Sequence, residues 1–151
     1  MISTSEVDTD MAALTRGVTR GVCRALLDLG YATLTEFTLK NGRRADVIAL
    51  ADDGEVVIVE VKVSVADFQA DRKWQDYREY CDRLFFAVPE GFPFDILPDD
   101  CGLLVADAYG AEELRPAFRH PLHASRRKAL VIRFARSSAS RLQSVLDPRV
   151  E

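Results

Sequence analysis

Two short loops limit most strongly what this chain can fold into. "KNG" (Lys40–Gly42) separates the strand-like runs "ATLTEFTL" (32–39) and "RRADVIAL" (43–50), and "DDG" (Asp52–Gly54) separates the second run from "EVVIVEVK" (55–62). A three-residue hairpin loop is a type I turn closed by a left-handed residue, usually glycine, and both loops end in Gly. The register then follows by counting. Leu39 pairs with Arg43, which sets Glu36 opposite Asp46; Ala51 pairs with Glu55, which sets Asp46 opposite Glu60. Three carboxylates thus fall in one row across adjacent strands spaced about 4.8 Å apart, and alternation puts Lys62 on the face of Glu60. A slip of one residue in either loop would send a side chain to the other face.

Anions this close repel strongly or take up protons. A divalent cation removes the conflict, because hard oxygen ligands are what Mg²⁺ or Mn²⁺ selects. Two plainer arrangements also satisfy the charges: an edge-strand ion pair of Glu60 with Lys62, and Asp46 paired with Arg43 or Arg44. Strand and charge pattern alone leave these open.

The remaining pattern places this row within a larger unit. The chain has 151 residues, 48% of them hydrophobic, enough for one domain with its own core. Its apolar runs are too short to span a bilayer, and the polar, acidic start "MISTSEVDTDM" lacks a secretion signal. Cys23, Cys81 and Cys101 are scattered and odd in number, which reads as reduced thiols in the cytoplasm. The pattern predicts a flexible segment over 1–10 and a helix over about 11–29, N-capped by Asp10, with Leu14, Val18, Val22, Leu26 and Leu29 inward. A second helix follows in "SVADFQADRKWQDYREYC", capped by Ser64, with Ala66, Ala70, Trp74, Tyr77 and Cys81 on its inner face. Strands "RLFFAVP" and "GLLVAD", a short strand or turn "ELRPAF", and a final helix over roughly 122–146 complete the chain. The order αβββαβ plus additions predicts an α/β (α+β) fold with a mixed sheet.

Charge is unevenly distributed. From Arg115 to Arg141 there are eight Lys or Arg residues and no acid, whereas the rest carries 12 basic and 24 acidic residues, a balance of +8 against −12. On the last helix Val131, Phe134, Ala135, Leu142 and Leu146 share one stripe, and Arg126, Arg133 and Arg136 fall within about 80° of each other on another side. Such a row suits DNA phosphates, although a solvated basic helix face accounts for it too. His120 and His123 have no companion ligands and read as loop residues.

Asp46, followed by "EVK" at 60–62 between a first helix and an amphipathic one, resembles the PD-(D/E)xK nuclease superfamily, with Ala45 where the signature has proline. More closely, "RRADVIAL", "VIVEVKVSVADFQADRKWQDYREYCDRLFFAVP" and "GLLVADAYGAEELR" resemble the MmcB-like DNA repair proteins of bacteria, over about residues 12–118. The resemblance implies a restriction-endonuclease-like fold and Mg²⁺- or Mn²⁺-dependent phosphodiester hydrolysis on DNA. It implies that Asp46 and Glu60 hold the ion with the Val61 carbonyl, and that Lys62 orients or deprotonates the attacking water and offsets phosphate charge. Lys73, Gln75 and Tyr77 resemble the polar positions that follow ExK in many such nucleases, where a Lys or Gln reaches a phosphate near the metal, although Tyr77 reads more simply as core.

One departure matters. Many members carry a glutamate on the first helix, whereas this face reads Thr15, Arg16, Thr19, Arg20, Cys23. Glu36 is the candidate replacement. The expected function is a metal-dependent DNA nuclease of DNA repair; the rival is a catalytically weak or inactive DNA-binding scaffold of the same fold. DNA is the expected partner, with room for other repair proteins and a homodimer, and none for a membrane.

Overall fold

The computed structural model describes residues 3–150. Both glycine loops close hairpins in the counted register. Gly42 and Gly54 take φ of 84° and 90°, and their N–H groups donate to the Leu39 and Ala51 carbonyls at 2.9 and 3.0 Å. Leu39 and Ala51 in turn donate to the carbonyls of Arg43 and Glu55. The turns align β1 (Ala32–Thr38), β2 (Arg44–Leu50) and β3 (Val56–Val61) antiparallel. Thr35 lies opposite Val47, and Val47 opposite Val59.

From β3 the chain crosses through α2 (Val65–Ala70) and a 3₁₀ helix (Trp74–Tyr80) to β4 (Arg83–Val88), parallel to β3. β5 (Gly102–Ala106) adds parallel to β4, and β6 (Ala111–Arg115) closes the sheet antiparallel. The six strands lie in sequence order, making the mixed sheet of an α/β fold. Val18, Val22 and Leu26 of α1 (Thr4–Asp28) pack on one face with Val47, Val57, Val59 and Phe85. On the opposite face Ile48, Ile58, Phe86 and Tyr77 meet Leu130 and Phe134 of α3 (Ala124–Leu146). Gly21 lets α1 approach the β5–β6 turn, since a Cβ there would lie 1.8 Å from the Asp107 carbonyl oxygen.

Four expectations need correction. From Thr4 the segment 1–10 is helical. Ser3 and Glu6 form a reciprocal capping box, so α1 starts at Thr4 rather than after Asp10; Met1 and Ile2 lie outside the described residues. Leu14 and Leu29 of that helix are exposed rather than inward.

The helix expected across 64–81 breaks at Asp71, whose extended backbone (φ −82°, ψ 109°) accompanies a carboxylate bond to the Lys73 N–H. Short acidic side chains compete in this way with helical backbone bonds. Trp74, Tyr77 and Tyr80 then recur every third residue, matching the 3₁₀ repeat, while Ala66 and Ala70 face outward. On α3 the buried residues are Leu130 and Phe134, and Leu142 and Leu146 are exposed.

α3 is tied to the sheet by a buried carboxylate. Asp82, fully buried, accepts two hydrogen bonds from Arg127 at 2.7 Å each. It also accepts the N–H groups of Val56 at 2.8 Å and Leu122 at 2.9 Å. Burial alone would raise its pKa; Arg127 and the two amides hold it at about 2 instead. Removing one partner of a buried pair strands the other, so Asp82→Asn is expected to lose about 3 kcal/mol of stability in urea unfolding near neutral pH. A carboxylate with a depressed pKa stabilises above its ordinary value of 3.8 and ceases to as the pH falls toward 2. The gap between the two proteins should therefore narrow in acid.

Candidate metal and nucleic-acid site

The ladder between β2 and β3 changes character beyond the Val47–Val59 pair. Asp46 and Glu60 come next in the register, and their carboxylates take over the hydrogen bonding. Glu60 Oε2 accepts the Asp46 N–H at 3.0 Å, and Asp46 Oδ2 accepts the Val61 N–H at 2.8 Å. Each acid thus holds the opposite strand, and the two side chains meet. Glu60 is 3% exposed and Asp46 is half-buried, so solvent screens the Glu60 carboxyl little.

Burial raises the pKa of both acids. For Glu60 the charge of Asp46 adds to it, holding the carboxyl well above the usual range; for Asp46 the Val61 N–H opposes it. The Tyr77 hydroxyl borders Glu60 and donates to the Arg44 carbonyl at 2.9 Å. Burial and the neighbouring Glu60 push the phenol up. The pair therefore retains a proton unless another positive charge replaces it, and two oxygens, Asp46 Oδ1 and Glu60 Oε1, lie outside the backbone bonds. A hard divalent cation fits that donor set.

Lys62 follows Glu60 at the end of β3, 8% exposed, its backbone N–H on the Ala87 carbonyl. Its Nζ lies 2.8 Å from Asp71 Oδ2. Burial would lower the ammonium pKa, but Asp71 outweighs it and raises it. The same contact, with the Lys73 N–H, lowers the pKa of Asp71 against its own desolvation. Asp71 was not legible as a site residue, because its place depends on the helix break. Its only sequence sign is an acid midway along an otherwise helical pattern. Tyr77 is buried as expected, but its hydroxyl also belongs to this site.

Glu36 does not complete the row. The counted register puts it across from Asp46, but its backbone is left-handed, with φ of 49°. That twist reverses the alternation of β1, so Leu34 and Phe37 pack in the same cluster despite odd spacing. The Glu36 side chain is exposed and lines a hollow beneath α3 with Arg133, Arg136 and Arg141. Among the described residues no three His, Cys, Asp or Glu side chains gather as a metal-holding group. Val61, expected to lend its carbonyl, ends β3 with its N–H on Asp46. Lys73 and Gln75 are exposed beside the helix break.

The arginine row on α3 is partly committed within the fold. Arg126 donates to the Glu79 carbonyl and lies 4.4 Å from the Tyr80 ring centre. Arg133 Nε donates to the Thr38 carbonyl at 2.7 Å, and Arg141 donates to the carbonyls of Thr35 and Glu36. Arg136 is exposed, with no hydrogen-bond or ion-pair partner among the described residues. Two surface hollows of about 500 and 340 Å³ adjoin at Ala129 and Arg133, and together Lys40, Arg126, Arg133, Arg136 and Arg141 line them.

No helix is long and apolar enough to cross a membrane among the described residues. None of the curated proteins compared matches the chain. Among solved structures it is similar to the SPO1766 protein of unknown function from Silicibacter pomeroyi. The two share 47% identity and a TM-score of 0.86, over 89% of this chain and 92% of that one. The family model of the DNA repair protein MmcB-like matches residues 3–149, and the chain belongs to that MmcB-like family.

Proposed function

We propose that this protein is a divalent-metal-dependent deoxyribonuclease of DNA repair, built on a PD-(D/E)xK-type site. The observation that carries the reading is the contact of a buried acid, Glu60, with a half-buried one, Asp46, each bonded to the other strand's backbone. Two adjoining acids cost a packed sheet more than the ladder bonds they replace, whereas a Mg²⁺ or Mn²⁺ ion would neutralise them. When bound, that ion would acidify a water and stabilise the leaving oxygen of a phosphodiester. Asp46 and Glu60 would hold it through Oδ1 and Oε1. Lys62 has donors beyond the one facing Asp71, and these would meet a phosphate oxygen and offset its charge. Lys40, Arg126, Arg133, Arg136 and Arg141 would carry the DNA backbone along α3, a contact that depends on salt rather than sequence.

A second reading is favoured by one observation, the absence of a third carboxylate at the pair among the described residues. It makes the protein a DNA-binding scaffold of the same fold with little or no catalysis.

Three measurements test these readings. Purified protein with Mn²⁺ should cut some DNA substrate, and Asp46→Ala or Lys62→Ala should reduce the rate by at least the ~100-fold that losing even outer partners of a metal site can cost. Activity surviving both changes would move the chemistry elsewhere, and salt-sensitive binding without cleavage would favour the scaffold.

In DNA-binding titrations, Arg136→Ala should weaken affinity and lower the slope of log K against log salt by about 1. An unchanged slope would take α3 out of the DNA path.

The third measurement uses the raised acid pair. A folded protein that keeps a proton which the unfolded chain has lost becomes less stable as the pH rises above the ordinary glutamate value of 4.5. A cation replaces that proton, so Mn²⁺ should raise the thermal midpoint more at about pH 8 than at about pH 6. The trend should vanish in Glu60→Gln. Equal Mn²⁺ effects in the two proteins would place the ion away from this pair.

A further inference from the structure

We infer that Asp71 is a positioning residue, holding the Lys62 ammonium in place to receive the scissile phosphate; this role rests on the nuclease reading above. Three observations support it. The first is geometric. Asp71 Oδ2 lies 2.8 Å from Lys62 Nζ, and Asp71 Oδ1 accepts the Lys73 N–H at 2.8 Å. Both oxygens are engaged, so the carboxylate is anchored from its own side and gives the ammonium a fixed mark.

The second concerns the backbone. The Asp71 N–H bonds to the Phe68 carbonyl as the last link of α2, and the chain then leaves the helix. The pattern from 64 to 81 suits an uninterrupted helix, and the chain breaks it where this acid meets Lys62. A surface salt bridge would not require such a break.

The third is donor arithmetic. An ammonium has three N–H donors, and the ion pair with Asp71 needs one. The stem of Lys62 is buried and its head is held, so the other two have restricted directions. Reactions that depend on such placement lose up to about 100-fold when a group drifts by about 1 Å.

Asp71→Asn is the informative variant, because an amide has one acceptor oxygen where the carboxylate has two. It must release either Lys62 or the Lys73 N–H. With Mn²⁺ and DNA, kcat should fall by about 10- to 100-fold. KM for DNA should stay the same or decrease, since one negative charge near the substrate is gone. Asp71→Glu, which restores both oxygens, should recover part of the loss.

A readout without metal or substrate accompanies these. The ¹⁵N-labelled metal-free protein should give a slowly exchanging Lys62 ammonium resonance, assigned by its loss in Lys62→Ala, and Asp71→Asn should remove it. Wild-type kcat in Asp71→Asn, a loss confined to KM, or an unchanged ammonium resonance would overturn the role of Asp71 alone. A wild-type protein that cuts no DNA, with the resonance still dependent on Asp71, would overturn the nuclease reading and leave Asp71 a structural partner only.

Discussion

The paired bonds by which Glu60 accepts the Asp46 N–H and Asp46 accepts the Val61 N–H are the constraint from which the rest of the site follows. Backbone rungs hold β2 and β3 together as far as Val47 and Val59. Beyond that pair two carboxylates take the place of carbonyls, accepting the N–H groups of Asp46 and Val61. This is an expensive substitution, since burying an ionised group without a compensating charge is strongly unfavourable. Each acid recovers part of that by accepting one N–H, and neither recovers all of it. The residual field gives the site an appetite for a proton or a cation, and sheet geometry fixes where that appetite is felt.

The surroundings keep this field local. Lys62 and Asp71 neutralise one another beside the pair, so the ammonium is held without collapsing onto Glu60. Tyr77, beside Glu60, donates its hydroxyl hydrogen bond to the Arg44 carbonyl. The 3₁₀ helix places Trp74, Tyr77 and Tyr80 on one side, and Trp74 packs edge-on to Phe86 with ring centres 5.5 Å apart. The segment that positions the polar groups is thus also the segment that seals the core behind them. A change in its helical repeat would disturb packing and site together.

How much of this was legible depends on the range over which each signal acts. The hairpins were legible because a glycine closing a three-residue loop is a local rule, and the register of Asp46 with Glu60 follows by counting. Glu36 was not, because a left-handed turn at a non-glycine residue has no local sequence mark, and it reversed the face of one side chain. The broken second helix was equally hidden, since Asp71 leaves the helix for partners at Lys62 and Lys73. Asp82 lies next to Cys81 in an ordinary-looking stretch, and its importance comes from Arg127, 45 positions away. The arginines counted onto one side of the last helix lie on α3, but Arg126 and Arg133 are bonded within the fold, which helix counting does not reveal.

That last difference has a physical origin in the topology. β1 is an edge of the sheet, and an edge presents unpaired carbonyls that invite pairing with another chain. Arg133 and Arg141 cap the carbonyls of Thr38, Thr35 and Glu36, so α3 guards the edge as well as packing above it. A guanidinium has five donors in a fixed fork, and these bonds use one from Arg133 and two from Arg141. The remaining donors stay available to a phosphate, with the side chain already ordered by its carbonyl bond. Less conformational freedom is then lost on binding than for an unattached arginine. The interactions that protect the sheet edge therefore also pre-arrange the basic surface, while Arg136 between them contributes charge without that restraint.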